Sequence, residues 1–224
     1  MDLTIFSKSE SREPKNVMPF QIRFAKIDLT EREVYIEDFP EEILTKYLGG
    51  RGMNMYLLAK RFYPQIDPLG PENPLIFGTG FLTGCLNLGS RMNISAISPE
   101  TGYLGDANMG GDFGAELRYT GFSHLMIVGK SKDPVYLWIK NGDVQIKDAR
   151  HLWGFDAMET QRAIRQKLGE ERVQVACIGL AGENLVRVAD GLTVFKETAY
   201  HGDLCSGEPR CVSVCTSGAI TIKT

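Results

Sequence analysis

The residues with most capacity for chemistry lie between Ser90 and Arg118, in SRMNISAISPETGYLGDANMGGDFGAELR. Met92, Ile94 and Ala96 alternate with polar neighbours and read as a strand, which a turn at Ser98-Pro99-Glu100-Thr101-Gly102 ends. Asp106-Ala-Asn-Met-Gly-Gly-Asp-Phe-Gly114 then reads as a loop, and the AELR after it as the start of a helix. Without a Cβ, Gly110, Gly111 and Gly114 can take positive φ and let an anion reach main-chain N–H groups, while the helix adds its positive end. Arg91, upstream, offers a planar guanidinium for bidentate contact with such an anion. A strand-to-helix turn with no ligand has the same spacing, so the residues alone leave both readings standing. Neither G-x-x-x-x-G-K-[ST] nor a strand followed by G-x-G-x-x-G is present, so ATP and NAD are not indicated.

Other reactive side chains are scattered. Cys85, in a Gly84-Cys-Leu loop, is expected to be a small buried thiol. His124 and His151 lie in strand-like or aromatic surroundings and read as structural. Glu116, in the first turn after the glycine run, complements a helix dipole. Cys205, Cys211 and Cys215 are bunched near the C-terminus, and this bunching suggests metal. Five cysteines, an odd number with two isolated in apolar sequence, argue against a secreted disulfide framework.

The elements that must position these groups follow from periodicity. Residues 20–29 and 33–39 read as two strands around a polar turn, and Pro40 with Glu41 and Glu42 as a helix start. The helical pattern is interrupted by Gly49-Gly50-Arg51-Gly52, since each glycine costs a helix interior about 1 kcal/mol relative to alanine. The interruption is either a packing kink beside a solvated arginine or a fresh helix start that presents Arg51 to an anion. A proline-rich connection over 63–74 leads to a buried strand, 75–77, and a glycine-rich turn from Gly78 to Gly84. Strands are expected at 123–128 and 135–139, with a hairpin turn at Asn141-Gly142. A capped helix runs from Asp156 to Leu168, ended by Gly169, before strands at 173–178 and 185–188. Strands dominate without regular βα alternation, which predicts an α+β fold: two mixed or antiparallel sheets with a few flanking helices.

Composition bounds the function. The chain has 224 residues, 43% of them hydrophobic, and a net charge of -3 with no basic stripe, so nucleic acid is not an expected partner. No apolar run approaches the roughly 20 residues of a membrane helix. Lys8, Glu10, Arg12, Glu13 and Lys15 occupy the place of a signal peptide's apolar segment, so a cytoplasmic protein is expected. Residues 1–18 read as a flexible extension.

Several blocks together resemble one family. LGGRGMNMYLLAK, DPLGPENPLIFGTGFLTG, GSRMNISAISPETGYLGDANMGGDFGAELRYTGF, PVYLWIK, HLWG and ACIGLAGENLVRVA are similar to the N-terminal domain of the aldehyde ferredoxin oxidoreductases, tungsten-pterin enzymes. The resemblance runs over about residues 20–189, and 19–189 is the span expected to form a β-rich domain binding the pterin cofactor. It implies two sheets related by a pseudo-two-fold, forming a base for two pterins whose phosphates, bridged by magnesium, this domain grips. Arg91 in GSRMN matches the family arginine near the pterin phosphates. Asn108 in ANMGG matches the asparagine whose main-chain carbonyl approaches the magnesium, and Gly110 and Gly111 match glycines beneath the cofactor.

After Val188 the resemblance stops, and residues 190–224 read as a divergent tail. Cys205-Ser-Gly-Glu208-Pro-Arg-Cys211-Val-Ser-Val-Cys215-Thr216 resembles a bacterial ferredoxin half with Glu208 in place of the second cysteine and Thr216 in place of the proline. A carboxylate is a poorer ligand for iron in a sulfide cluster, so the three cysteines hold a cluster by themselves, hold one completed by another chain, or are free thiols of a degenerate or fused tail. Three functions are therefore carried forward. One is the cofactor-binding part of a tungsten or molybdenum bis-pterin oxidoreductase, oxidising aldehydes to carboxylic acids and passing electrons to a ferredoxin. In that case a complementary chain, or a homodimer, covers the open face. The second is a non-catalytic remnant or binding module. The third is a small iron-sulfur electron carrier.

Overall fold

The computed structural model describes residues 23–85 and 89–185, and the backbone of 193–194 and 220–223. Strands β1 (Arg23–Asp28), β2 (Glu33–Asp38), β3 (Leu75–Thr79), β4 (Met92–Ile97), β5 (Leu104–Met109) and β6 (Phe122–Val128) form one sheet in the order β2-β1-β6-β3-β4-β5. Its β1–β6 pair is parallel and its other pairs are antiparallel. Strands β7 (Val135–Lys140), β8 (Asp143–Asp148), β9 (Gln174–Cys177), β10 (Thr193–Val194) and β11 (Ile220–Lys223) form the second sheet, ordered β10-β9-β11-β7-β8. There β11 runs parallel to β7. The fold is α+β with two mixed sheets and few helices, as the strand-rich pattern predicts.

Period-two alternation sorts each strand's side chains into layers. Leu125 and Ile127 of β6 and Leu75 and Phe77 of β3 face the second sheet, where they meet Val135, Leu137 and Ile139 of β7. Met126, Val128 and Ile76 point the other way, onto Leu44 of α1 (Glu41–Tyr47) and Met53, Leu57 and Leu58 of α2 (Gly50–Ala59). The outer face of the second sheet, Tyr136, Trp138 and Val175, packs on Ile164 of α4 (Ala157–Leu168). Phe113 and Leu117 of α3 (Phe113–Tyr119) enter the layer between the sheets.

Local signals place these elements. Asp156 and Glu159 close a reciprocal capping box at α4, and Gly169 ends that helix at φ 67. Asn141 and Gly142, at φ 50 and 82, make the β7–β8 hairpin turn. The helix interruption is real: α1 stops at Leu48 and α2 restarts after Gly49, at φ 81. Three segments differ from expectation. Gly78 and Thr79 extend β3 instead of opening a turn, and Asp106 to Met109 belong to β5 instead of a loop, paired with β4 from Met92↔Met109 to Ile97↔Leu104. Leu185 sits in a turn at φ 54 instead of opening a strand, and residues 186–188 of that expected strand lie outside the described residues, as do residues 1–18. Among the described residues no helix is long and apolar enough to cross a membrane.

Candidate functional site

Strands β4 and β5 present one apolar and one polar face. Met92, Ile94, Ala96 and Ala107 enter the core between the sheets. The intervening residues, Asn93 and Ser95 with their cross-strand partners Asn108 and Asp106, take the opposite face. The first turn of α2 lies over that face. Gly49 pairs with Gly80 across an isolated bridge, and a Cβ at Gly49 would stand 2.8 Å from the Thr79 carbonyl oxygen, so only glycine allows this approach.

A hydrogen-bonded network covers the polar face. The Asp106 carboxylate, 12% exposed, accepts from Arg51 Nε at 2.6 Å, from Asn93 Nδ2 at 3.0 Å and from Ser95 Oγ at 2.9 Å. A carboxylate with this many donors acts as a holder of side chains. Ser95 in turn accepts from Asn54 Nδ2 at 2.9 Å, an amide that also donates to the Asn93 carbonyl at 3.1 Å. At the open end, Arg91 donates to Asn108 Oδ1 at 2.7 Å. Arg51 does begin a helix, but it is ion-paired there, with 63% of its side chain exposed.

The expected site residues therefore meet on one sheet edge. Arg91 and Asn108 are bonded to each other, and Gly110 and Gly111 follow directly on the end of β5. A Cβ at Gly110 or Gly111 would meet nothing within 4 Å among the described residues, so these leave room for a ligand against this backbone. Gly111 has φ 85, whereas Gly110 and Gly114 do not take the positive φ expected of them. Gly114 has a packing role: its Cβ would stand 2.8 Å from the Ser90 carbonyl oxygen. Cys85, expected to be buried, is exposed, because its loop lies outside the sheet interior; the other described thiol, Cys177, is buried and pushed up to about 12 by burial. Cys205, Cys211 and Cys215 lie outside the described residues. Among the described residues no group of three His, Cys, Asp or Glu side chains could hold a metal ion.

Asn54, Asn93, Ser95 and Asp106 were not singled out from the sequence. The signal was there, since Arg91, Asn93 and Ser95 alternate with Met92, Ile94 and Ala96, and Asp106 and Asn108 alternate with Ala107 and Met109. Reading the second run as a loop hid that the two polar rows face each other. Below this network His124, fully buried, contacts Ser123 Oγ at 2.9 Å through Nδ1. Burial pushes it down to about 3, with the Gly50 backbone opposing and the Arg118 charge adding to the shift, so the ring is neutral at ordinary pH. A hollow of about 540 Å³ elsewhere is lined by Lys130, Lys132, Arg150 and Trp153. Asp133 and Glu183 line it too, and Asp148 pairs with Arg150, so its charges are balanced.

Comparison with known proteins identifies this architecture. A sequence model described as "Aldehyde ferredoxin oxidoreductase, N-terminal domain" matches residues 24–206. The tungsten-containing aldehyde ferredoxin oxidoreductases of Thermococcus kodakarensis and Pyrococcus furiosus are 46% and 45% identical over 168 residues, 75% of this chain and 28% of each relative. A Pyrococcus furiosus protein named "Aliphatic sulfonate oxidoreductase, WOR-like subunit" is 34% identical over 79% of the chain and 30% of its own length. Among solved structures, the active site complex BamBC of benzoyl coenzyme A reductase, with 1,5-dienoyl-CoA, superposes with a TM-score of 0.80 at 32% identity. That match covers 90% of this chain and 30% of the other. The chain thus spans under a third of the length of the relatives it matches, and it belongs, through their N-terminal domain, to the aldehyde ferredoxin oxidoreductase family.

Proposed function

We propose that this chain is the cofactor-binding part of a tungsten or molybdenum bis-pterin oxidoreductase. Its activity would be the oxidation of aldehydes to carboxylic acids in the cytoplasm, with electrons passed through iron-sulfur centres to a ferredoxin. The observation that carries the reading is the Arg91–Asn108 pair beside the open Gly110-Gly111 backbone, two donor sets at one sheet edge. Relatives named for an aldehyde, an aliphatic sulfonate and a benzoyl-CoA substrate share this domain, which supports a role common to all of them over recognition of any one substrate.

The residues fit a phosphate-bearing cofactor. Arg91 contributes a guanidinium whose position the Asn108 amide already sets, leaving its other N–H groups for phosphate oxygens. Gly110 and Gly111 place no side chain over the backbone there, and the main-chain carbonyl of Asn108 is the group that would approach a bridging magnesium. Asp106 holds Arg51 at the rim of the same face and balances its charge, so Arg91 is the cation left to meet phosphate. When bound, the pterin-held metal supplies the two-electron chemistry, and this chain positions it and neutralises its phosphates.

A complementary chain, or a homodimer, would cover the open face and complete the cofactor pocket. Cys205, Cys211 and Cys215 would contribute to an iron-sulfur site in that assembly. The test is metal, pterin and sulfide analysis of the protein purified anaerobically from its native cells, with any co-purifying chain identified. Tungsten or molybdenum with stoichiometric pterin is the expected result, reduced in an Arg91→Ala variant. A folded protein that carries neither metal nor pterin overturns the reading and leaves a binding module; iron and sulfide alone move the function to the tail.

A further inference from the structure

Asp106 and Asn108 lie two residues apart on β5, so their side chains share one face about 7 Å apart. Each holds an arginine from another segment. Asp106 Oδ2 accepts from Arg51 Nε at 2.6 Å, and Asn108 Oδ1 accepts from Arg91 at 2.7 Å. The two holders differ in charge. The amide leaves the charge of Arg91 whole, whereas the carboxylate cancels that of Arg51, so the four side chains together carry one net positive charge.

Burial decides which member of the ion pair serves the other. The Arg51 side chain is 63% exposed and that of Asp106 12%. Water can stabilise the guanidinium without its partner, but it reaches little of the carboxylate. Asp106 is fixed in place by bonds that join β5 to β4: Asn93 Nδ2 donates to its two oxygens at 3.3 and 3.0 Å, and Ser95 Oγ donates at 2.9 Å. These neutral donors bring no charge. Arg51 does, and packing delivers it. A Cβ would stand 2.8 Å from the Thr79 carbonyl oxygen at Gly49 and 2.5 Å from the Tyr47 carbonyl oxygen at Gly52. Glycines on both sides of Arg51 therefore seat the first turn of α2 where its arginine reaches Asp106.

We propose that Arg51 is a positioning residue for phosphate that acts through Asp106, cancelling a buried carboxylate charge that would otherwise repel an anion held by Arg91. This role rests on Arg91 being the phosphate contact. A lone carboxylate about 7 Å from the anion lowers affinity about three- to fiftyfold per unit of anion charge, for effective dielectric constants of about 80 to 20. Bonded to Arg51, it presents a neutral pair instead. Asp106 can then join α2, β4 and β5 without weakening the attraction of the site for phosphate.

The test is titration of the full chain, free of pterin, with inorganic pyrophosphate, followed by 15N NMR of the Gly110 and Gly111 amides and the arginine Nε groups. In the wild type the Arg91 Nε and both amide signals should move while that of Arg51 stays. Arg51→Met should weaken binding about three- to fiftyfold, and Arg51→Lys, which keeps a cation beside Asp106, should stay close to wild type. Adding Asp106→Asn to Arg51→Met should restore wild-type affinity or better, since the charge that needed cancelling is gone. An Arg51 that touched the phosphate could not be replaced in this way. A shifted Arg51 Nε in the wild type overturns the proposal, as does a double variant that binds no tighter than Arg51→Met. If the wild type does not bind pyrophosphate, or Arg91→Ala binds it equally well, the phosphate reading itself fails. If Arg91→Ala abolishes binding and Arg51→Met leaves it unchanged, only the role of Arg51 fails.

Discussion

Two glycine-rich junctions introduce helices into this domain, and they use glycine for opposite reasons. At Gly49-Gly50-Arg51-Gly52 the absent side chains are replaced by protein: a Cβ would stand 2.8 Å from the Thr79 carbonyl oxygen at Gly49 and 2.5 Å from the Tyr47 carbonyl oxygen at Gly52. At Gly110-Gly111 the same construction meets nothing within 4 Å. The first junction spends its glycines on bringing α2 down onto β3 and β4, and the second leaves its backbone uncovered by the described residues. Glycine content alone does not distinguish a packing device from a ligand surface; the neighbour over each Cα does.

This contrast can be tested by substitution, and the largest effect is expected at the packed junction. Gly49→Ala adds a methyl against a carbonyl at φ 81, combining overpacking with a left-handed backbone, and should lower unfolding free energy by about 2–4 kcal/mol in denaturant titration. A loss below 1 kcal/mol would mean that the two elements are not held in this contact. Arg91→Ala should spare the fold and act on the ligand side: loss of a charge-assisted contact of about 1.5–3 kcal/mol predicts cofactor content reduced roughly ten- to hundredfold, read by metal and pterin analysis. Unchanged occupancy would separate Arg91 from phosphate binding.

A pH experiment examines the packed side. His124 is a base whose folded value, about 3, lies below its ordinary 6.5. The unfolded chain therefore binds the extra proton between those values, and this group's contribution to stability is full above pH 6.5 and falls as the pH drops toward 3. The slope approaches about 1.4 kcal/mol per pH unit. His124→Leu should flatten the acid limb of a stability–pH profile by that one-proton slope; an unaltered limb would place the acid sensitivity elsewhere. The smallest effects are expected at the open junction. Gly111→Ala should cost about 1 kcal/mol, from its φ of 85 alone. Gly110→Ala should stay within about 0.5 kcal/mol of the parent while lowering cofactor retention. A large stability loss at Gly110 would show that its surroundings are packed and end the contrast.

Much of the fold was legible because it rests on neighbours in sequence. The capping box at Asp156 and Glu159, the hairpin turn at Asn141-Gly142 and the break between α1 and α2 each depend on residues within a few positions, and each is where its local signal places it. The site was legible in part. Arg91, Asn108, Gly110 and Gly111 were identified through family resemblance, and the structure gathers them on one edge. Asn54, Ser95 and Asp106 were missed, because the loop assigned to residues 106–109 concealed a strand whose polar row completes that of β4.

The amino-acid sequence by itself determined the strand-rich α+β class, the family and the residues that meet at the open edge. These follow from period, turn chemistry and contiguous motifs, which survive without knowledge of the partner strands. Only the tertiary structure decided that Arg51 is ion-paired with Asp106, that Gly114 packs against Ser90 while Gly110 faces open space, and that Asn54 and His124 meet over Gly78. Those outcomes depend on which atom from a distant segment occupies the space beside a residue, and spacing along the chain carries no record of it.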